Sequence, residues 1–261
     1  MNETQAGPPS PTFLTLVLKT MSGIGGGLVG MAVLLGIFLG ASTILQSAWS
    51  PDLIANGGDP MTKSPLFIFV FMAMIFLTSL AANVVGSLLF TYVESEKYSR
   101  RTTALYQIFF INLAIFVLLA PIYIVLDARN LLQMISFLAG FHVLLAGLAS
   151  MMVLEIVGNL QYALIGVYGV IFSFTFSTGT ILSVFEFTGR NPTIILFAAL
   201  PIIWISLGFM TTITEMFYRW LWSLYGIDFL MSRTTYGIDY GEAEVEEEVK
   251  EDLAGADFLN K

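Results

Sequence analysis

Six apolar stretches, each long enough to cross a bilayer and almost free of charge, constrain this chain more than any other feature. They run at about 23–46, 66–92, 104–126, 131–154, 160–185 and 193–217. About 20 apolar residues span a hydrocarbon core. In that core every backbone polar group must bond within its own segment, so each stretch is expected to be a helix. Of the 261 residues, 56% are hydrophobic and 11% charged, which leaves no material for a solvated surface around a soluble core. The expected fold is an all-α polytopic membrane protein, about six transmembrane helices in a bundle. Both termini are expected to be cytoplasmic, with a short acidic C-terminal tail.

The organisation follows from the same pattern. Residues 1–22 read as a disordered N-terminus plus an interfacial lead-in, because adding Thr12–Met21 to the first stretch exceeds what a bilayer needs. The alternative is a signal peptide with Lys19 as its basic flank, which lacks a clean A-x-A cleavage site. Residues 23–222 form the six-span bundle, and 223–261 a cytoplasmic linker and acidic tail. Six Lys and Arg (Lys19, Lys97, Arg100, Arg101, Arg219, Arg233) fall on the side of the N-terminus and three (Lys63, Arg129, Arg190) on the other. That asymmetry places the first side inward, and the expected location is the plasma (inner) membrane.

Charge is concentrated at the end of the chain. Residues 236–261 carry nine carboxylates against Lys250 and Lys261. Val245, Val249 and Leu253 recur every four residues on that acidic segment, a narrow apolar stripe. It reads either as a solvated tail or, through 237–261, as a docking segment for a cytoplasmic protein partner. An acidic chain with no long basic run argues against nucleic acid. The absence of cysteine from the sequence excludes disulfides, thiolate metal ligands and cysteine nucleophiles. No ATP-binding, cofactor or metal motif is present, so no cofactor is expected.

Seven glycines fall within Gly23–Gly40 of the first span. Gly25–Gly30 formally matches G-x-G-x-x-G, but no preceding strand or following acidic residue supports a dinucleotide site. The glycines are instead expected to pack helices: Gly25, Gly36 and Gly40 share one face, and Gly27 and Gly30 lie on the opposite one with Gly23. Span 1 is thus expected to be the packing axis, gripped from two sides near its inner end and from one farther out. Span 3 is bulky all round and is expected at the lipid-facing edge. Spans 3 to 6, joined by short loops, are expected to be sequential antiparallel neighbours. Pro121 and Pro201 suggest matching halves, but the other spans do not align at that offset.

Three groups of polar residues carry candidate chemistry. Asn83, Asn112, Glu155, Gln161 and Glu215 map to the inner half or inner mouth of their spans. They read either as a cytoplasm-facing polar vestibule or as interhelical glue and headgroup-level charges, with Glu215 and Arg219 spaced to pair. His142, the single histidine of the sequence, lies near mid-span. It reads as a proton relay or as a neutral ring bonded to a neighbouring helix. Zinc is disfavoured for want of a second ligand, and Ser150 lacks the setting of a serine nucleophile. Ser173, Ser177 and Thr180 complete the mid-membrane set; their segment reads either as a broken helix that coordinates an ion or as a continuous helix with a hydroxyl seam.

The expected function is a non-enzymatic membrane subunit of a multi-component transport or secretion assembly, in a homo- or hetero-oligomer, docking its partner through the tail. The alternative is a self-contained small-solute or ion carrier or channel that uses the inner vestibule. An intramembrane enzyme lacks a nucleophile–base pair.

Overall fold

The computed structural model describes residues 11–41, 65–125, 131–158 and 163–225. Six long helices account for nearly all of them: α1 (Phe13–Gly40), α2 (Pro65–Val93), α3 (Arg101–Val125), α4 (Leu131–Val153), α5 (Ala163–Phe187) and α6 (Pro192–Tyr225). No strand occurs among the described residues. Each helix is long and apolar enough to cross a membrane, so the protein is a multi-pass helical bundle in contact with lipid. One π-helical turn, Leu154–Gly158, extends α4. Gln161 and the tail stripe Val245, Val249 and Leu253 lie outside the described residues.

The first helix begins at Phe13, nearly three turns before the apolar run, and that revises its role. Thr12 caps it: its hydroxyl accepts from the Thr15 N–H at 3.2 Å while the Thr15 hydroxyl accepts from the Thr12 N–H at 3.1 Å. Capping satisfies two of the orphan donors at a helix start. The segment 12–21, expected as an interfacial lead-in, is therefore part of the span, and Lys19 sits fully buried within it.

α1 slots between α2 and α6. On the α6 side, a Cβ at Gly23 would collide with the Trp204 backbone, and one at Gly27 would collide with the Pro201 backbone. On the α2 side, a Cβ at Gly26 would stand 2.7 Å from the Gly86 Cα. Gly30 closes the wedge, with Ala82 Cβ 2.8 Å and Leu200 Cδ2 3.1 Å from its would-be Cβ. Hydrophobicity cannot drive helix association in lipid, so such backbone approach supplies van der Waals contact that larger residues would block.

The outer half of α1 differs from expectation. A Cβ at Gly36 or Gly40 would have no neighbour within 4 Å among the described residues, and one at Gly25 would meet only Leu89 Cδ1, at 3.1 Å. Among the described residues, the Gly25/Gly36/Gly40 face therefore meets a neighbour only at Gly25, through Leu89. The close packing falls to Gly23, Gly26, Gly27 and Gly30. Helical angle groups Gly23, Gly27 and Gly30 but leaves out Gly26, whose neighbour is the Gly86 backbone.

α6 is the most extensively packed helix, lying mainly against α1, α5 and α4. It wedges between α4 and α5, which meet one another at their ends, through the Phe137 and Phe185 rings at 5.2 Å and through Glu155 of the π turn against Gly166. α3 packs on α2 and α4 and exposes Tyr106, Phe110, Val117, Leu118 and Ile124, as an edge helix must. Pro121 and Pro201 both lie inside helices.

Candidate functional site: a buried charge cluster and a polar seam

Three cations and three carboxylates meet at the end of the bundle that holds the start of α1. Lys19 comes from α1, Glu94 and Lys97 from the α2–α3 connection, Glu155 from the π turn after α4, and Glu215 and Arg219 from α6. The Lys19 ammonium donates to Glu94 Oε2 at 2.8 Å. Lys97 Nζ is 2.9 Å from Glu215 Oε2, 3.3 Å from Glu155 Oε2 and 3.8 Å from Glu94 Oε2. Arg219 Nη2 donates to Glu215 Oε1 at 3.2 Å. The Tyr98 hydroxyl donates to Glu155 Oε1 at 2.5 Å.

The cluster is dry as well as charged. Side-chain exposure is 0% for Lys19 and Glu155, 5% for Glu215, 6% for Lys97 and 11% for Glu94 and Arg219. Unpaired ions at such burial are very costly, and pairing must offset desolvation. Equal numbers of opposite charges achieve that. Burial alone would lower the Lys97 ammonium, but the Glu155 and Glu215 carboxylates beside it hold it well above the ordinary lysine range. Burial, then the Glu155 carboxylate, pushes the Tyr98 phenol well above its ordinary range, so it stays a donor.

Local sequence explains how the carboxylates arrive. The π turn swings Glu155 inward, and such turns often mark functional positions. Its carboxyl occupies the space that a side chain on Gly166 of α5 would fill. Glu215 lies one helical turn from Arg219 on α6, and this i, i+4 pair forms as the spacing predicts.

From this cluster a seam of buried polar groups follows α2 into the bundle. Thr91, Ser87, Asn83 and Ser79 succeed one another every four residues, with Thr78 beside Ser79, and each is at most 1% exposed. Asn83 Nδ2 donates to Asn112 Oδ1 of α3 at 2.7 Å, and Asn112 Nδ2 donates to Ser150 Oγ of α4 at 2.8 Å. Trp204 Nε1 of α6 donates to Asn83 Oδ1 at 3.2 Å. The indole fits because Gly86 leaves it room.

His142 lies farther along α4, fully buried, with Nδ1 3.5 Å from the Tyr123 hydroxyl of α3. Its Nε2 has no hydrogen-bond partner among the described residues, and neither has Thr78 Oγ1 or Ser87 Oγ on α2.

The structure thus divides the expected vestibule. Glu155 and Glu215 join the charge cluster, while Asn83 and Asn112 form an amide cluster deeper in. All four are under 5% exposed, bonded to one another's neighbours rather than facing open space. The expected mid-membrane set also separates. Ser173, Ser177 and Thr180 donate to carbonyls four residues back in an unbroken α5, and Ser173 reaches the Ser206 carbonyl of α6 at 3.3 Å. None bonds to His142, and the broken-helix reading does not hold.

The sequence marks Lys19 and Lys97 only as topology signals and gives Glu94, Tyr98 and Trp204 no place in a site. The available signal was compositional: Glu94, Glu96 and Lys97 crowd one short connection. No group of metal-ligating residues occurs among the described residues. Comparison of the chain with known protein families, with curated proteins and with solved structures gives no match.

Proposed function

We propose that the chain is a self-contained carrier of a small solute or ion, closed at its charged end by the ion-pair cluster. It would sit in the plasma (inner) membrane with that end toward the cytoplasm, the orientation the Lys and Arg asymmetry favours. The supporting observation is Lys97, shared between Glu94, Glu155 and Glu215 of three separate elements. Purely structural needs are met as well by apolar packing, since buried ion pairs return little net stability. A shared cation can instead change partners as helices move, and intramembrane ionisable groups commonly mark ion pathways. The carrier is non-enzymatic in this reading and needs no cofactor.

The test is ion leak from proteoliposomes under imposed H⁺, Na⁺ or K⁺ gradients. Lys97→Gln and Glu155→Gln should each change the leak relative to wild type. Vesicles indistinguishable from protein-free ones across all three proteins would overturn the reading.

A second reading keeps the chain as a membrane subunit of a transport or secretion assembly that docks a cytoplasmic partner through 237–261. The nine carboxylates of 236–261 favour it, as does the course of α6, which carries Glu215 and Arg219 and runs on to Tyr225 toward that tail. Pull-down from native membranes with and without 237–261 tests it, and recovery of the same proteins in both cases would sink it.

A further inference from the structure

The polar seam holds buried groups that protein alone does not satisfy, and they fall at two levels. Gly147 of α4 lies level with Asn83 of α2, whose Oδ1 stands 3.6 Å from the would-be Gly147 Cβ. The two helices run in the same direction, so five residues back on each brings His142 level with Thr78. Both carry an orphaned polar atom, His142 Nε2 and Thr78 Oγ1. Ser87 Oγ is the third, on the cluster side of the amides. A further orphan, Thr178 Oγ1 on α5, is only half-buried and lies off the seam.

Buried polar groups are rarely left unpaired, and ordered water is the usual partner when protein is not. At about 1.5 Å per helical residue, the step from Asn83 to Ser87 is roughly 6 Å and that from Asn83 to Thr78 roughly 7.5 Å. One or two waters are long enough to join levels that far apart.

We infer that His142 is a proton-binding site at the deep end of a hydrated seam between α2, α3 and α4, reached by water from the charge cluster past Ser87, the amides and Thr78. The neutral ring donates its Nδ1–H to the Tyr123 oxygen and keeps a lone pair on Nε2. That lone pair takes a proton from a hydronium in the seam, which leaves as water, and the reverse step returns it. Tyr123 is the titratable side chain that meets the ring. The described parts of α2 and α4 hold no Asp, Glu, Lys or Arg, and the charges of α1, α3, α5 and α6 are confined to helix ends or to the cluster. No fixed countercharge therefore traps the proton on His142. Its use as a coupling proton rests on the carrier reading above, whereas the site itself does not.

The single histidine makes the test direct. The full chain is labelled with ¹⁵N-histidine and reconstituted in lipid bilayers, and magnetic resonance then reads one ring. Expected are water exchange at Nε2, a shift of the ring resonances on acidification, and loss of the water exchange in Thr78→Val. Ser87→Ala, which removes only a hydroxyl, should also slow it and guards against a packing defect at Thr78. A dry ring that ignores bulk pH overturns the site, even if Lys97-dependent ion leak is present. Water exchange and titration without any such leak support the site and overturn the carrier reading.

Discussion

The two ends of α1 are built from the same residues and do opposite things. Its first half is held by backbone against α2 and α6 through Gly23, Gly26, Gly27 and Gly30, and is pinned by the Lys19–Glu94 ion pair. Its second half carries Gly36 and Gly40 with nothing against them among the described residues, and exposes Leu35, Phe38 and Leu39. A small residue permits close approach without causing it. What decides is whether the neighbour brings a matching hollow, as Gly86 and Ala82 of α2 do. The bundle is therefore tight where it is charged and looser along α1 where it is not.

Substitutions that add volume should break this contrast most visibly. Gly26→Leu drives a side chain into the backbone at Gly86 and should abolish recovery of folded monodisperse protein in detergent. Gly36→Leu should leave recovery near wild type. Equal behaviour of the two would show that the glycine contacts do not organise the bundle.

Charge removal comes next in size. Lys97→Met takes the shared cation from Glu155 and Glu215 in a dry site, leaving Glu215 to Arg219 and Glu155 to the Tyr98 hydroxyl, and should cost about 3–5 kcal/mol, the usual penalty for breaking a buried pair. Arg190→Met at the opposite end removes a pair whose side chains are 71% and 59% exposed. That loss should be at most about 1 kcal/mol. Thermal unfolding in detergent measures both. Similar losses would mean that the cluster is wetter than its geometry implies.

The smallest expected effect is in alkali. The folded state raises Lys97 above 10.5 and Tyr98 above 10.0. Over the interval between ordinary and raised values it binds more protons than the unfolded chain, so stability falls as pH rises. The contribution of Lys97 is complete below its ordinary value and disappears through its raised one. Unfolding transitions should thus hold steady through neutral pH and drop above about pH 10. Lys97→Met should flatten the drop, and an unchanged drop would locate the titrating groups elsewhere.

Much of the fold was legible because lipid imposes one rule, that long apolar runs are helices. The edge position of α3 was legible too, from side chains bulky on every face. The site was legible only in part. Glu155 and Glu215 stand at the charged end and Asn83 and Asn112 deeper in, and which of them meet is fixed by pairings across 29 to 121 residues. Periodicity carries no such information. Lys19 and Lys97 were read as topology signals at span ends, since a lone lysine beside an apolar run looks the same whether its partner is a headgroup or a distant glutamate. The orphaned atoms of Thr78, Ser87 and His142 have no sequence signature at all.

Lys19 also imposes an order on the making of the protein. Its partner, Glu94, lies 75 residues farther along the chain. At about 5–20 residues per second, synthesis needs roughly 4–15 s to deliver that carboxylate after the lysine has emerged. Through that interval the first helix must stand in the insertion machinery with an uncompensated ammonium, its long stem reaching toward the nearer headgroups. The lysine can then leave the surface only when the α2–α3 connection has been made, and because Gly208 of α6 packs on the Lys19 backbone, its burial is complete only when the last helix has docked.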